Sequence, residues 1–147
     1  MYSIGQVSQM FDLPVSTLRY YDNEGLFPNL KRVSGVRQFD DHTIETLNLI
    51  ECLKKSGLEI KDIKQFIQWT QQGKKTYEKR LELLEKQRDN VENEMKKLKK
   101  TQAMLEFKCW YYQTAINDGN ENRIHEMLPD HLPKKIQELY NEAHDVD

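Results

Sequence analysis

The chain has 147 residues, the length of one ordinary domain, with 37% hydrophobic and 31% charged residues. So little apolar material for so many charges is thin filling for a single compact globule and points to an elongated molecule with much solvated helix. Lys and Arg number 22 against 24 Asp and Glu, which excludes a blanket polybasic attraction to nucleic acid or anionic lipid, and no apolar run approaches the roughly 20 residues that cross a bilayer.

Cys52 and Cys109 lie far apart, and the sequence opens without a charged-then-apolar leader, so a cytoplasmic protein with reduced thiols is expected rather than a secreted disulfide scaffold. Charge is uneven along the chain. Residues 74–108 hold 11 basic and 7 acidic side chains, whereas 109–147 hold 3 and 8. A basic stretch therefore precedes an acidic tail.

Ser3 followed by Gln6 is a capping-box pattern, and Ile4, Val7, Met10 and Phe11 keep the spacing of one helical face. After Asp12-Leu13, Pro14 suits the first position of a second helix that runs to about Glu24 and is closed by Gly25. Two short helices so joined read as a helix-turn-helix, the second of which can lie in a DNA major groove. Its exposed face would carry Ser16, Thr17, Arg19 and Tyr20, with Asn23 at its end. From Asn29 to Phe39, Val33-Ser34-Gly35-Val36 reads as the turn of a hairpin that carries Lys31, Arg32 and Arg37. Cations on a hairpin beside a helix-turn-helix make a winged arrangement suited to phosphates flanking the groove. The bland alternative is ordinary solvated charge on a small helical domain.

Thr17-Leu18-Arg19-Tyr20-Tyr21-Asp22-Asn23-Glu24-Gly25-Leu26-Phe27-Pro28, followed by Gly35-Val36-Arg37-Gln38-Phe39, resembles the signature of the MerR family of bacterial transcription regulators. The likeness continues through Leu47, Ile50, Leu53, Gly57, Ile60 and Ile63, and so covers about the first 70 residues. The resemblance implies that Thr17, Arg19 and Tyr20 meet DNA from the recognition helix, that Arg37 and Phe39 act from the wing, and that Tyr21 and Leu26 are core. Many members carry an aromatic residue at the place of Val36 and Tyr at that of Phe39, so a hydroxyl bond to phosphate is absent here. Glu59 stands where members usually have a capping Ser or Thr.

Asp40 is suited to cap a third helix in which Ile44, Leu47, Ile50 and Leu53 share a face, and Ser56-Gly57 ends it. Ile60, Ile63, Phe66 and Ile67 mark a fourth helix that stops at Gly73. Cys52, followed by Lys54 and Lys55, reads either as a small buried hydrophobe or as a thiolate activated by those cations. The stretch Ile50 to Leu58, with Ile63 to Ile67 and Trp69, is similar to the MerR branch that senses aldehydes and nitrosative stress, which adds weight to a sensor thiol at Cys52.

From Tyr77, alternating steps of four and three pass through Leu81, Leu84, Arg88, Val91, Met95, Leu98, Gln102, Leu105, Cys109, Tyr112 and Ile116. This is a coiled-coil seam interrupted by Arg88 and Gln102, and the 40 residues it spans would form a rod about 60 Å long. Such a rod must pair with a second copy. His125, His131 and His144 have no ligand spacing, and the paired cysteines that metal-sensing members carry after the rod are absent, so no metal or cofactor is expected. A short helix is expected around Ile136, Leu139 and Tyr140.

The expected architecture is mainly α: a winged helix-turn-helix DNA-binding domain with its helical hinge over 1–73, a coiled-coil dimerisation helix over 74–117 and an acidic tail over 118–147. The expected function is a homodimeric transcription regulator that distorts double-stranded promoter DNA for RNA polymerase, stress-responsive and not an enzyme, since no phosphate loop, nucleophile elbow or metal motif is present. The rival is a coiled-coil adaptor whose head binds protein. Cation placement on the second helix and hairpin separates the two.

Overall fold

Local signals in the first 60 residues become the boundaries of the structure, a computed structural model that describes residues 1–145. Val146 and Asp147, the end of the acidic tail, lie outside the described residues. In chain order the elements are α1 (Ile4–Phe11), α2 (Val15–Asn23), β1 (Lys31–Val33), β2 (Val36–Gln38), α3 (Asp41–Lys55), α4 (Ile60–Gln71), a 3-10 turn (Gly73–Thr76), α5 (Tyr77–Asp118), α6 (Asn122–Met127) and α7 (Lys134–His144). The protein is mostly helical, with a two-stranded wing and one long helix, as expected. It divides into two compact units, one from Met1 to Arg88 and one from Asp89 onward.

In the first unit the capping box forms: Ser3 Oγ accepts from Gln6 N–H and Gln6 Oε1 accepts from Ser3 N–H. Asp12 at φ 52° ends α1. Pro14 stands one position earlier than expected, as the extended residue before α2, with ψ 143° and its carbonyl accepting from Thr17 and Leu18. Ser34 and Gly35 both have positive φ, 52° and 78°, the geometry of a type I′ turn whose twist matches the flanking strands. The antiparallel register pairs Lys31 with Gln38, Arg32 with Arg37 and Val33 with Val36.

At the base of the wing, Tyr2 and Phe39 exchange backbone hydrogen bonds of 2.8 Å, which draws the N-terminus against the hairpin. Phe39 is fully buried and meets Phe27 edge to face at 5.6 Å. Around it, Val7, Leu18, Tyr21, Leu47, Ile50 and Ile63 bring α1 to α4 onto one core.

Asp40 caps α3, its Oδ1 accepting from the N–H and hydroxyl of Thr43 at 2.8 Å each. Glu59 precedes α4 without a side-chain cap bond, yet α4 still begins at Ile60. The start of α5 is fastened to the ends of both preceding helices. Arg80 donates to the carbonyls of Trp69 and Gly73, Thr76 donates to the same two, and Gln87 donates to the carbonyl of Ser56. Those carbonyls lie at or just past the ends of α3 and α4, where acceptor capacity is left over by the helix itself. Gly57 has φ 95°, a backbone shape that calls for glycine, and a Cβ there would stand 3.1 Å from Gln87 Nε2, which would have to shift by a few tenths of an ångström.

In the second unit, Phe107 and Tyr111 of α5 form a small core with Ile124 of α6, Leu132 and the apolar side of α7. The Tyr111 hydroxyl donates to Glu121 and lies 3.1 Å from His125 Nε2. The bond to Glu121 is the main reason that the Tyr111 phenol is pushed up to about 12. The helix expected around Ile136 forms as α7, whereas α6 had no clear periodic signal in the sequence.

Along α5, every large apolar residue of the expected seam is exposed in the single chain: Tyr77, Leu81, Leu84, Val91, Met95, Leu98, Leu105, Tyr112 and Ile116. Ala103, Phe107, Tyr111 and Thr114 are the buried residues of the same helix. α5 thus carries two apolar stripes, one covered by its own chain and one left in water.

Candidate nucleic-acid interface

Helical spacing decides which side chains of α2 are available. Leu18 and Tyr21 point inward and are buried, so Ser16, Arg19, Tyr20 and Asn23 take the outward arc and are exposed, with Thr17 half-buried at its edge. Tyr20 keeps 47% of its surface. Tyr21 fixes this arc to α3: its hydroxyl donates to Glu51 Oε1 at 2.9 Å and accepts from Lys54 Nζ at 3.0 Å, with the ammonium also 5.5 Å from the ring centroid. Burial raises the Tyr21 phenol above its usual range, and the bond from Lys54 opposes this. That same bond raises Lys54. Glu51 and Lys54 lie three residues apart, one turn of α3, and so reach a single hydroxyl.

Asp22 lies between the buried and outward faces of α2 and points at the wing. Its Oδ2 accepts from Arg37 Nε at 2.7 Å and from Arg32 Nη2 at 2.5 Å. The two arginines are cross-strand partners, so one carboxylate reaches both. The Asp22 side chain retains 9% of its exposure, while those of Arg37 and Arg32 retain 23% and 49%. Lys31 pairs with Asp40 at 3.4 Å across solvent, a contact that contributes little and leaves its ammonium accessible. Arg19, Lys31, Arg32 and Arg37 therefore sit on α2 and the adjoining hairpin, an arrangement that a phosphate backbone would complement.

Two family models match the chain, MerR HTH family regulatory protein over residues 2–69 and MerR, DNA binding over residues 44–106. An uncharacterised HTH-type transcriptional regulator of Haemophilus influenzae is 40% identical over 124 residues, which are 84% of this chain and 92% of that one. The chain belongs to the MerR family. Among solved structures, HiNmlR, described as a MerR family regulator lacking the sensor domain and bound to promoter DNA, is 38% identical with a TM-score of 0.68, covering 83% of this chain and 98% of its own. A MerR family regulator from Bacillus thuringiensis is 42% identical with a TM-score of 0.59, covering 71% and 96%. This MerR protein is accordingly a DNA-binding transcriptional regulator, and the adaptor reading loses its support.

Of the wing residues expected to meet DNA, Phe39 alone is buried. The structure buries it completely, because its bridge to Tyr2 turns the ring toward Phe27, and its side chain cannot reach a groove. Ser16, Thr17, Arg19, Tyr20, Lys31, Arg32 and Arg37 all lie on α2 or the wing and retain exposure. Tyr21 and Leu26 are buried, as expected. Cys52 is exposed on α3, and not the buried hydrophobe of the alternative reading. Of the two cations that follow it, Lys54 is engaged by Tyr21. Asp22 is the residue that sequence reasoning missed. Its signal was an acidic side chain four residues after Leu18, at the border of the buried face. Among the described residues no helix is long and apolar enough to cross a membrane, and no group of three His, Cys, Asp or Glu is placed to hold a metal ion.

Proposed function

We propose that this MerR regulator works as a homodimer paired through the exposed seam of α5, with a head over 1–73, a pairing helix over 74–117 and an acidic tail over 118–147. Each head lays α2 in a major groove, where Ser16, Thr17, Arg19 and Tyr20 read or brace the site, and sets Lys31, Arg32 and Arg37 on the flanking phosphates. The observation that carries this reading is the joining of the outward face of α2 to the cationic wing through Asp22, which makes them one surface. Two heads on one promoter supply enough phosphate contacts to offset the cost, on the order of 1–6 kcal/mol, of bending a short duplex. The distorted spacer then brings two separated promoter elements into a register that RNA polymerase uses. Cys52, exposed on α3 one turn before the Ser56 carbonyl that Gln87 of α5 engages, is the proposed electrophile sensor of a stress response.

A gel shift with the duplex upstream of the protein's own gene tests the DNA reading. A retarded species competed by unlabelled duplex of the same sequence, and not by a scrambled one, is expected. Equal competition by both would overturn specific recognition.

A further inference from the structure

We propose that Asp22 is a positioning residue for DNA binding: by accepting from both wing guanidiniums it holds Arg32 and Arg37 as a preorganised phosphate clamp beside the recognition helix. The proposal rests on the DNA-contact reading of the wing and deepens it.

A carboxylate on a surface meant for phosphates is unfavourable by charge alone, so its presence there needs a compensating role. The wing supplies one. β1 buries none of its three residues, and a pair of three-residue strands has little stability of its own. The Tyr2–Phe39 bridge fixes only the base of the hairpin. Arg32 and Arg37 face each other across its middle, and Asp22 grips both there.

The grip leaves donors to spare. A guanidinium carries five N–H groups. Arg37 uses Nε toward Asp22 and keeps both terminal nitrogens, whereas Arg32 uses Nη2 and keeps Nε and Nη1. Two cations on one anion retain a net positive charge. Their side chains, otherwise rich in rotamers, are ordered before DNA arrives, so less freedom is lost on binding.

The test separates this role from simple repulsion because the two predict opposite signs. Binding of the full-length protein to a fluorescein-labelled random-sequence duplex is followed by anisotropy over a series of salt concentrations, phosphate contacts being independent of sequence. If Asp22 positions the clamp, Asp22→Asn weakens binding about tenfold, and the slope of log K against log salt falls by about 0.9 for each phosphate that is no longer neutralised. A folded fraction that stays constant over the salt series leaves that slope unchanged, and circular dichroism of the variant at each salt concentration checks that it does. Tighter binding with a steeper slope, or a slope equal to wild type, would overturn the proposal. Arg32→Ala and Arg37→Ala are measured alongside. If both keep the wild-type slope, the DNA-contact reading itself fails; if they lower it and Asp22→Asn does not, only the positioning role fails.

Discussion

If the exposed seam of α5 pairs two protomers as proposed, replacing Leu84 and Leu98 together with Glu converts that dimer to monomers. In the single chain these side chains are 41% and 67% exposed. Burying a whole Leu side chain stabilises by about 1.5–3 kcal/mol. Because each position occurs once per protomer, covering the exposed parts of four leucines contributes roughly 3–6 kcal/mol to association, before the cost of placing carboxylates in the seam. A loss at the lower end weakens the dissociation constant by at least about a hundredfold. Sedimentation equilibrium over a concentration series measures this directly. Lys97→Glu, at an exposed position off the seam, serves as the control and should leave the dimer intact. A double variant that still sediments as a dimer at wild-type concentrations would show that the heptad row is not the interface.

Two further outcomes follow from the head. Asp40→Ala should cost about 1 kcal/mol of stability through loss of the α3 cap, measured as a shift in the urea midpoint. The Thr43 N–H, followed by the Thr43 hydroxyl, holds the Asp40 carboxyl below its ordinary range; a depressed folded value means that the contribution is full above that range and lost as pH falls through the folded value. The gap between wild type and variant should therefore narrow in acid, and a gap that widens there would contradict the cap assignment. Cys52→Ser should bind the promoter with wild-type affinity yet lose its transcriptional response to an aldehyde or S-nitrosothiol, while Cys109→Ser keeps it. A full response from Cys52→Ser in a reporter assay would remove the thiol from the sensing step.

What could be read in advance was local. Ser3 with Gln6, Asp40 before Thr43 and Ser34-Gly35 carry their geometry within three or four residues, and each formed where the pattern placed it. The seam of α5 was legible for the same reason, since a repeat of four and three is a property of one helix. Pairings between distant segments were not. Phe39 looked like a wing residue because nothing near it in sequence reveals the strand-like bridge to Tyr2 that turns it inward. Asp22 carries no local pattern that marks it, because its partners Arg32 and Arg37 are brought to one of its oxygens only by the hairpin register. The second stripe of α5, through Phe107 and Tyr111, was hidden beneath the stronger seam and is completed by α6 and α7.

Arg19 is the side chain through which recognition by α2 is best measured, because it stands exposed on the outward arc of that helix, clear of the core that holds the head together. Affinities of wild type and Arg19→Ala are compared at one fixed salt concentration for the upstream duplex and for a scrambled duplex of equal length. The substitution should weaken binding to the upstream duplex by about 1–3 kcal/mol and lower the ratio of the two affinities, with the thermal midpoint of the protein unchanged. An unchanged ratio, in a protein that still binds both duplexes, would contradict recognition through α2.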